Sequence, residues 1–82
     1  MLMKILKFYS KTCGPCRALE NILSQAHIPH DSIDVEENPI AVSEYDITSV
    51  PTVLAIKDGK VVDRFHGIKN LEDIKTWYNN LK

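Results

Sequence analysis

Segments with strand-like and helix-like patterns alternate along nearly all of this 82-residue chain. Short runs rich in β-branched and aromatic residues indicate strands, and apolar residues spaced three and four positions apart indicate amphipathic helices. The order βαβαββα predicts an α/β fold in which a mixed sheet carries helices on both faces. A chain of this length predicts one domain, residues 1–82. The predicted strands cover 3–9, 30–35, 50–57 and 60–66, and the predicted helices cover 14–27, 39–45 and a last segment from 70 to 81.

Residues that favour turns and helix ends separate these segments. Pro29 follows the first predicted helix and ends it, and the Asn-Pro pair at 38–39 has the pattern of an N-cap followed by the first helical residue. The Asp-Gly pair at 58–59 lies between two strands and predicts a tight hairpin. Asn70, with Asp73 three residues later, resembles a capping box and marks the start of the last helix.

The two cysteines of the chain stand three residues apart in the tetrapeptide Cys13-Gly14-Pro15-Cys16, where the first helix begins. At helical spacing, residues i and i+3 lie on one face, so the two sulfurs can come within bonding range. Closing so short a loop would remove only about 2 kcal/mol of denatured-state entropy, which makes a purely structural disulfide a weak explanation. The spacing therefore predicts a cysteine pair that alternates between a dithiol and a disulfide.

The two thiols have different predicted roles. Cys13 lies beside the unpaired N–H groups of the helix start, which favour a negative charge and lower the pKa of its thiol. Pro15 suits the first helical position, and Gly14 leaves the approach to the sulfur open. Cys13 is therefore the predicted nucleophile, and Cys16, one turn further in, would resolve the mixed disulfide. The alternatives are two unrelated free thiols or half of a zinc or iron–sulfur site, although such sites usually need four ligands.

Charge and composition narrow the classes of partner. The formal net charge is −1 and no basic cluster occurs, which argues against nucleic acid or an anionic membrane as the main partner. Residues 1–11 alternate lysines with apolar residues and lack the apolar core of a signal peptide, and no transmembrane stretch follows. We therefore expect a cytosolic (cytoplasmic) protein whose cysteine pair acts on other proteins.

Three motifs together resemble the thioredoxin family. Residues 12–17 are similar to its active site, the Val-Pro-Thr run at 50–52 to its cis-proline loop, and 58–60 with Gly67 to its later hairpin and turn. The similarity covers essentially the whole chain and is greatest to small thioredoxin/glutaredoxin-like proteins that lack the first strand and helix of thioredoxin. It implies a four-stranded sheet, an active site at the C-terminal end of the first strand, and reduction of protein disulfides. We also expect a monomer without cofactor or metal, recycled by a reductase of the thioredoxin-reductase type.

The resemblance also assigns residues to substrate binding. It implies that Pro51 follows a cis peptide bond and packs against the cysteines, and that the main chain of Val50 pairs with a substrate strand. Turn formation and core packing are the alternative roles for the residues at the positions of the family's docking surface. Those residues are Gly14, Pro15, Val50, Gly67 and Ile68.

Three positions depart from thioredoxin. Thr12 replaces the tryptophan that precedes the first cysteine, which would change the contact with substrates. Lys7 replaces a buried aspartate, and Ser32 stands near the place of that aspartate's lysine partner. Strand alternation places Lys7 on one face with Ile5 and Tyr9. The resemblance implies that this position points toward Cys16, where an ammonium would favour a thiolate. The alternative is that Lys7 extends to solvent.

The sequence leaves three functional hypotheses. The first is a thiol–disulfide oxidoreductase that serves as a general cytosolic reductant. The second is a glutaredoxin-like protein or a dedicated electron donor, for example to ribonucleotide reductase, although residues 67–70 lack the pattern typical of glutathione binding. The third is a binding module in which the cysteines hold a metal across two chains. His27, His30 and His66 are too scattered to suggest a metal site, and Trp77 is predicted at the edge of the core.

Overall fold

The computed structural model describes residues 3–82 and contains all seven predicted segments in the predicted order. Every observed strand and helix overlaps its predicted range. The elements are β1 (Met3–Tyr9), α1 (Gly14–Gln25), β2 (Asp31–Asp34), α2 (Pro39–Glu44), β3 (Thr52–Lys57), β4 (Lys60–His66) and α3 (Leu71–Asn80).

The strands form one four-stranded mixed sheet in the order β2-β1-β3-β4, which confirms the predicted fold class. β1 runs parallel to β2, as expected for strands joined through a helix, and antiparallel to β3, which in turn pairs antiparallel with β4. Phe8 on β1 is opposite Thr52 on β3, and Thr52 is opposite His66 on β4. This register brings the end of β1, the start of β3 and the end of β4 to one edge of the sheet.

Alternation along β1 supplies side chains to two cores, one on each face of the sheet. Ile5 faces α1 and α3, whereas Leu6 and Phe8 face α2. The first core also contains Leu19, Leu23, Ile28, Val53, Ala55, Ile74 and Leu81, and the second also contains Leu54 and Ile56. Helices therefore cover both faces, as predicted, but among residues 3–82 the six-residue α2 is the only helix on the second face.

The predicted end of the first helix was two residues too late. Ala26 is the C-cap, and His27 adopts the left-handed conformation with φ of 55°. His27 N donates to Ser24 O, and Ile28 N donates to Leu23 O at 3.1 Å, which closes the helix in a Schellman motif before Pro29. α2 likewise ends at Glu44, one residue before the predicted end, with Asp46 left-handed at φ of 54°.

Two strands are shorter than predicted. β2 covers only 31–34, because the carboxylate of Asp34 accepts a hydrogen bond from Glu36 N and turns the chain. β3 begins at Thr52, since the preceding Pro51 has no N–H to donate to a neighbouring strand. The predicted hairpin at 58–59 is confirmed, and both of its residues have positive φ, 51° and 81°.

Asn70 is the N-cap of α3, as the sequence predicts, and its side-chain oxygen accepts a hydrogen bond from Asp73 N at 2.8 Å. We expect Asn70→Ala to lower the free energy of unfolding by about 1 kcal/mol, because one N–H of the first turn loses its partner. Urea denaturation measures this change. Asn70→Asp keeps an acceptor and is the matched control, so an equal loss in both variants would mean that the cap does not stabilise α3.

Candidate active site

The disulfide between Cys13 and Cys16 lies at the sheet edge where β1 ends. The chain leaves β1 at Tyr9 and is fixed by a hydrogen bond from Cys13 N to Ser10 O at 3.2 Å. α1 then begins, and the Cα atoms of the two cysteines are 5.3 Å apart. The two cysteines that the spacing predicts to form a redox pair are therefore bonded to each other in the structure.

Cys13 is the N-cap of α1, and its sulfur takes the place of the usual capping oxygen. Its Sγ accepts a hydrogen bond from Cys16 N at 3.1 Å. Gly14 is consequently the first helical residue, which agrees with the predicted range 14–27, and Pro15 is the second helical residue rather than the predicted first. Cys13 can cap the helix because its extended backbone, with ψ of 105°, aims the sulfur at the helix N–H groups.

The two sulfur-bearing residues differ in access. Cys16 is 2% exposed, whereas Cys13 is half-buried and is followed by the exposed Gly14 and Pro15. An N–H directed at Cys13 Sγ and the positive end of the α1 dipole both favour a negative charge on that sulfur. A substrate can therefore reach the sulfur that is better suited to be a thiolate.

Two loops lie at the same sheet edge as the disulfide. The peptide bond between Val50 and Pro51 is cis, as the resemblance implied, and Pro51 is buried. Gly67 N donates to Pro51 O at 2.9 Å, which joins the loop before β3 to the turn after β4. Ile68, next to that turn, is 49% exposed, and Thr12 on the cysteine loop is exposed as well.

Lys7 lies under α1 rather than in solvent. It is 4% exposed, its Nζ donates to the carboxylate of Glu20 on α1, and it lies 5.2 Å from the centre of the Tyr9 ring. Glu20 also accepts hydrogen bonds from His30 Nε2 at 3.0 Å and from the hydroxyls of Ser24 and Ser32. Sequence reasoning missed Glu20; the available signal was its position four residues after Cys16.

The ionisation of Glu20 is controlled by these partners. Burial of the carboxyl opposes its charge, but hydrogen bonds from Lys7 and His30 outweigh burial and lower its pKa to about 2. Glu20 is therefore a carboxylate throughout the physiological pH range.

A Glu20→Gln variant should show a flatter loss of stability in acid than the wild type. The folded-state pKa is depressed, so the stabilisation by Glu20 is fully present above its ordinary pKa of 4.5 and is lost as the pH falls toward 2. Urea denaturation over this pH range measures the effect. Glu72→Gln, which removes an exposed carboxylate of α3, is the control. Identical acid profiles for wild type and Glu20→Gln would contradict the assignment.

A cavity of about 610 Å³ lies between this charged group and Cys16. Lys7, Glu20 and Cys16 all line it, together with Tyr9 and Ser32. The lining thus comes from β1, α1 and β2, and the exposed Gly14 and Pro15 are not part of it.

A second charged group lies at the rim of the site. Lys11 Nζ is 3.0 Å from the carboxylate of Glu37 and 3.8 Å from that of the buried Asp34. The hydrogen bond to Glu37 raises the pKa of Lys11. These contacts hold the loop between β1 and α1 against the end of β2.

Two properties of residues 3–82 concern metal binding and membrane insertion. No group of three or more His, Cys, Asp or Glu side chains in this range is placed to hold a metal ion. Within the same residues, no helix combines the length and apolar character that crossing a membrane requires.

Trp77 lies at the edge of the first core, as predicted. Its ring packs edge-to-face on that of Phe65, with 4.9 Å between the ring centres.

Comparisons with known proteins agree with these features. The family model described as Thioredoxin matches residues 2–80. Mouse mitochondrial thioredoxin is 34% identical over 83 residues, which cover 94% of this chain and 50% of the relative. Thioredoxin of Chlamydia pneumoniae is 35% identical over 80 residues, which cover 92% of this chain and 78% of the relative. The chain thus spans about half the length of the mitochondrial relative.

Solved structures give the same similarity in three dimensions. Reduced desulfothioredoxin from Desulfovibrio vulgaris Hildenborough has a TM-score of 0.87 and 28% identity, over 98% of this chain and 82% of the other. The N21Q mutant thioredoxin from Halobacterium salinarum has a TM-score of 0.85 and 29% identity, over 95% and 73%.

Proposed function

Because this chain belongs to the thioredoxin family, we propose that it is a thiol–disulfide oxidoreductase that reduces disulfides in other proteins through Cys13 and Cys16. One observation carries the proposal: the accessible Cys13 Sγ accepts an N–H at the start of α1, while its partner Cys16 is 2% exposed. A stabilised thiolate that is more accessible than its shielded partner thiol is the arrangement that disulfide exchange requires.

The reaction then has two exchange steps. The Cys13 thiolate attacks one sulfur of a substrate disulfide, forms a mixed disulfide, and releases the other substrate sulfur as a thiolate. Cys16 loses its proton and attacks Cys13 Sγ, which closes the Cys13–Cys16 disulfide and releases the second substrate thiolate. Two electrons pass to the substrate, whose thiolates take protons from solvent. A reductase of the thioredoxin-reductase type restores the dithiol.

We assign substrate docking to the sheet edge around the disulfide. Val50 lies outside the sheet pairing, since β3 begins at Thr52, and its main chain can pair with an extended substrate segment. The exposed Ile68 and the adjoining Gly67 supply an apolar contact on one side, and Gly14 and Pro15 supply one on the other. Thr12 replaces the larger aromatic of the family, which leaves more space for the substrate beside Cys13.

Lys7 belongs to the same proposal as a support for Cys16. It lines the cavity that Cys16 lines, and its ammonium favours a negative charge on a nearby sulfur. The proposed partners are protein disulfides and the recycling reductase, and the proposed setting is a monomer in the cytosol that takes part in electron transport.

The test measures turnover with two sources of electrons. The purified protein should gain about 2 Da on reduction, carry no metal, and reduce a protein disulfide with electrons from a thioredoxin reductase. Turnover with glutathione alone would instead assign the glutaredoxin-like role. Stoichiometric zinc or iron bound by a dimer, without turnover, would overturn the proposal in favour of a metal-bridged binding module.

A further inference from the structure

Glu20 makes contacts that join α1 to the sheet beneath it. Its carboxylate accepts hydrogen bonds from Lys7 on β1, from Ser32 on β2, and from His30 just before β2. Its side chain is 41% exposed and lies at the wall of the cavity beside Cys16, so it is not needed to fill the core. Such a convergence of donors on one accessible carboxylate points to an electrostatic role.

The position and charge of Lys7 depend on this carboxylate. A buried ammonium without a partner either loses its proton or moves to solvent, because burial disfavours the charged form. Lys7 is 4% exposed, and its other close neighbour, the Tyr9 ring, offers only a weak attraction. Glu20 is thus the group that holds the Lys7 side chain under α1.

Helix geometry places Glu20 next to Cys16. Residues four apart lie on one helix face, and a long side chain at the later position points back toward the N-terminus, over the turn that carries the earlier residue. Glu20 is four residues after Cys16, and both side chains line the cavity of about 610 Å³. The cavity opens to solvent, which gives the proton of the otherwise buried Cys16 thiol a route out.

We propose that Glu20 is a positioning residue for the resolving step: it holds the Lys7 ammonium in the cavity wall so that Cys16 ionises beside a fixed positive charge. This inference rests on the proposed function. The Cys16 S–H bond breaks, its proton goes to solvent in the cavity, and the thiolate attacks Cys13 Sγ while the bond to the substrate sulfur breaks. The other charged or titratable groups at this cavity are Tyr9, Lys11 and Arg17, and His30 contacts Glu20.

The direction in which Glu20→Gln shifts the Cys16 pKa distinguishes an action of Glu20 through Lys7 from a direct action of Glu20 on Cys16. If Glu20 acted on Cys16 directly, Glu20→Gln would remove a negative charge and make the Cys16 thiolate easier to form. If Glu20 acts by holding Lys7, the same substitution releases the ammonium from the cavity wall and makes the thiolate harder to form. The two roles therefore shift the Cys16 pKa in opposite directions.

The experiment follows the reaction of the reduced protein with Ellman's reagent by stopped flow. The first release of chromophore reports attack by Cys13, and the second reports attack by Cys16 on the mixed disulfide. We expect Glu20→Gln to leave the first phase unchanged and to slow the second about 10-fold at neutral pH, with its pH profile moved about one pKa unit upward. Lys7→Met should do the same, and the double variant should be no slower.

Matched variants keep the proposal falsifiable. Asn21→Ala changes a neutral residue that lines the same cavity and should leave both phases unchanged. Glu20→Asp keeps the charge and should retain most of the second-phase rate, and it replaces Glu20→Gln if that variant does not fold. In a Cys13→Ser background, thiolate absorbance reports Cys16 alone. A second phase that is unchanged or faster in Glu20→Gln, or a Cys16 pKa that falls, overturns the proposal. Failure of turnover on protein disulfides would overturn the proposed function instead, since Ellman's reagent needs neither docking nor a reductase.

Discussion

Cys13→Ser should abolish the reduction of protein disulfides, whereas Cys16→Ser should stop after the first step and accumulate mixed disulfides. The roles follow from access, because a substrate can approach the half-buried Cys13 but not Cys16, which is 2% exposed. The N–H of Cys16 directed at Cys13 Sγ and the start of α1 also favour the Cys13 thiolate. Without that thiolate, turnover should fall to the rate of the uncatalysed exchange.

The measurement combines turnover with mass spectrometry. Steady-state reduction of a protein disulfide gives the loss of activity, and intact mass after non-reducing quench detects the substrate bound to Cys16→Ser. Ser43→Ala, an exposed change on α2, should retain wild-type activity and trap no substrate. Trapping by Cys13→Ser together with multiple turnover by Cys16→Ser would reverse the assignment of the two thiols.

Local patterns were sufficient to predict the order and type of the elements. The alternation of Ile5 and Phe8 between two cores is a property of a strand in any sheet covered on both faces. Likewise, the capping by Asn70 and the hairpin at 58–59 depend only on residues close in sequence. Such features can be inferred before the tertiary structure is known.

The ends of α1 and α2 could not be inferred in this way. Both helices close in Schellman motifs whose left-handed residues are His27 and Asp46, and neither is the glycine that usually marks this position. The next residue along the chain sets the conformation in each case, because Ile28 packs into the first core and Ile47 packs against the second. The helix ends are therefore determined by tertiary packing, which a local pattern does not contain.

The contact between Lys7 and Glu20 under the active site also could not be predicted from local sequence patterns. The sequence indicated that Lys7 lies on the strand face toward α1, and comparison with the family showed that an aspartate was absent there. Neither step supplied the partner, because Glu20 meets Lys7 only when α1 is placed over β1 in the observed register. β1 therefore carries a lysine, Lys7, where the family has an aspartate, and α1 supplies a carboxylate, Glu20, beside it. Both side chains line the cavity that Cys16 lines.

The largest loss of stability that we expect from a single substitution is in the second core. Phe8 is fully buried on β1 and packs on Leu6, Leu54 and Ile56, and its ring meets that of Tyr45 edge-to-face at 6.0 Å. Replacing a buried phenylalanine by alanine costs about 3 to 5 kcal/mol, through lost transfer free energy and the cavity that remains. We therefore expect Phe8→Ala to be unfolded or to lose on the order of 20 °C in melting temperature.

The size of this effect relative to total stability decides its outcome. A domain of this length has only about 4 to 12 kcal/mol of stability, and the short α2 is the one helix of the described residues that packs on this face of the sheet. Thermal and urea denaturation measure the loss, and Val62→Ala on β4, a residue 49% exposed, should change stability by less than about 0.5 kcal/mol. A loss below about 1 kcal/mol in Phe8→Ala would show that the second face contributes little. In that case the first core, which packs α1 and α3 on the opposite face, would hold the active-site helix in place largely by itself.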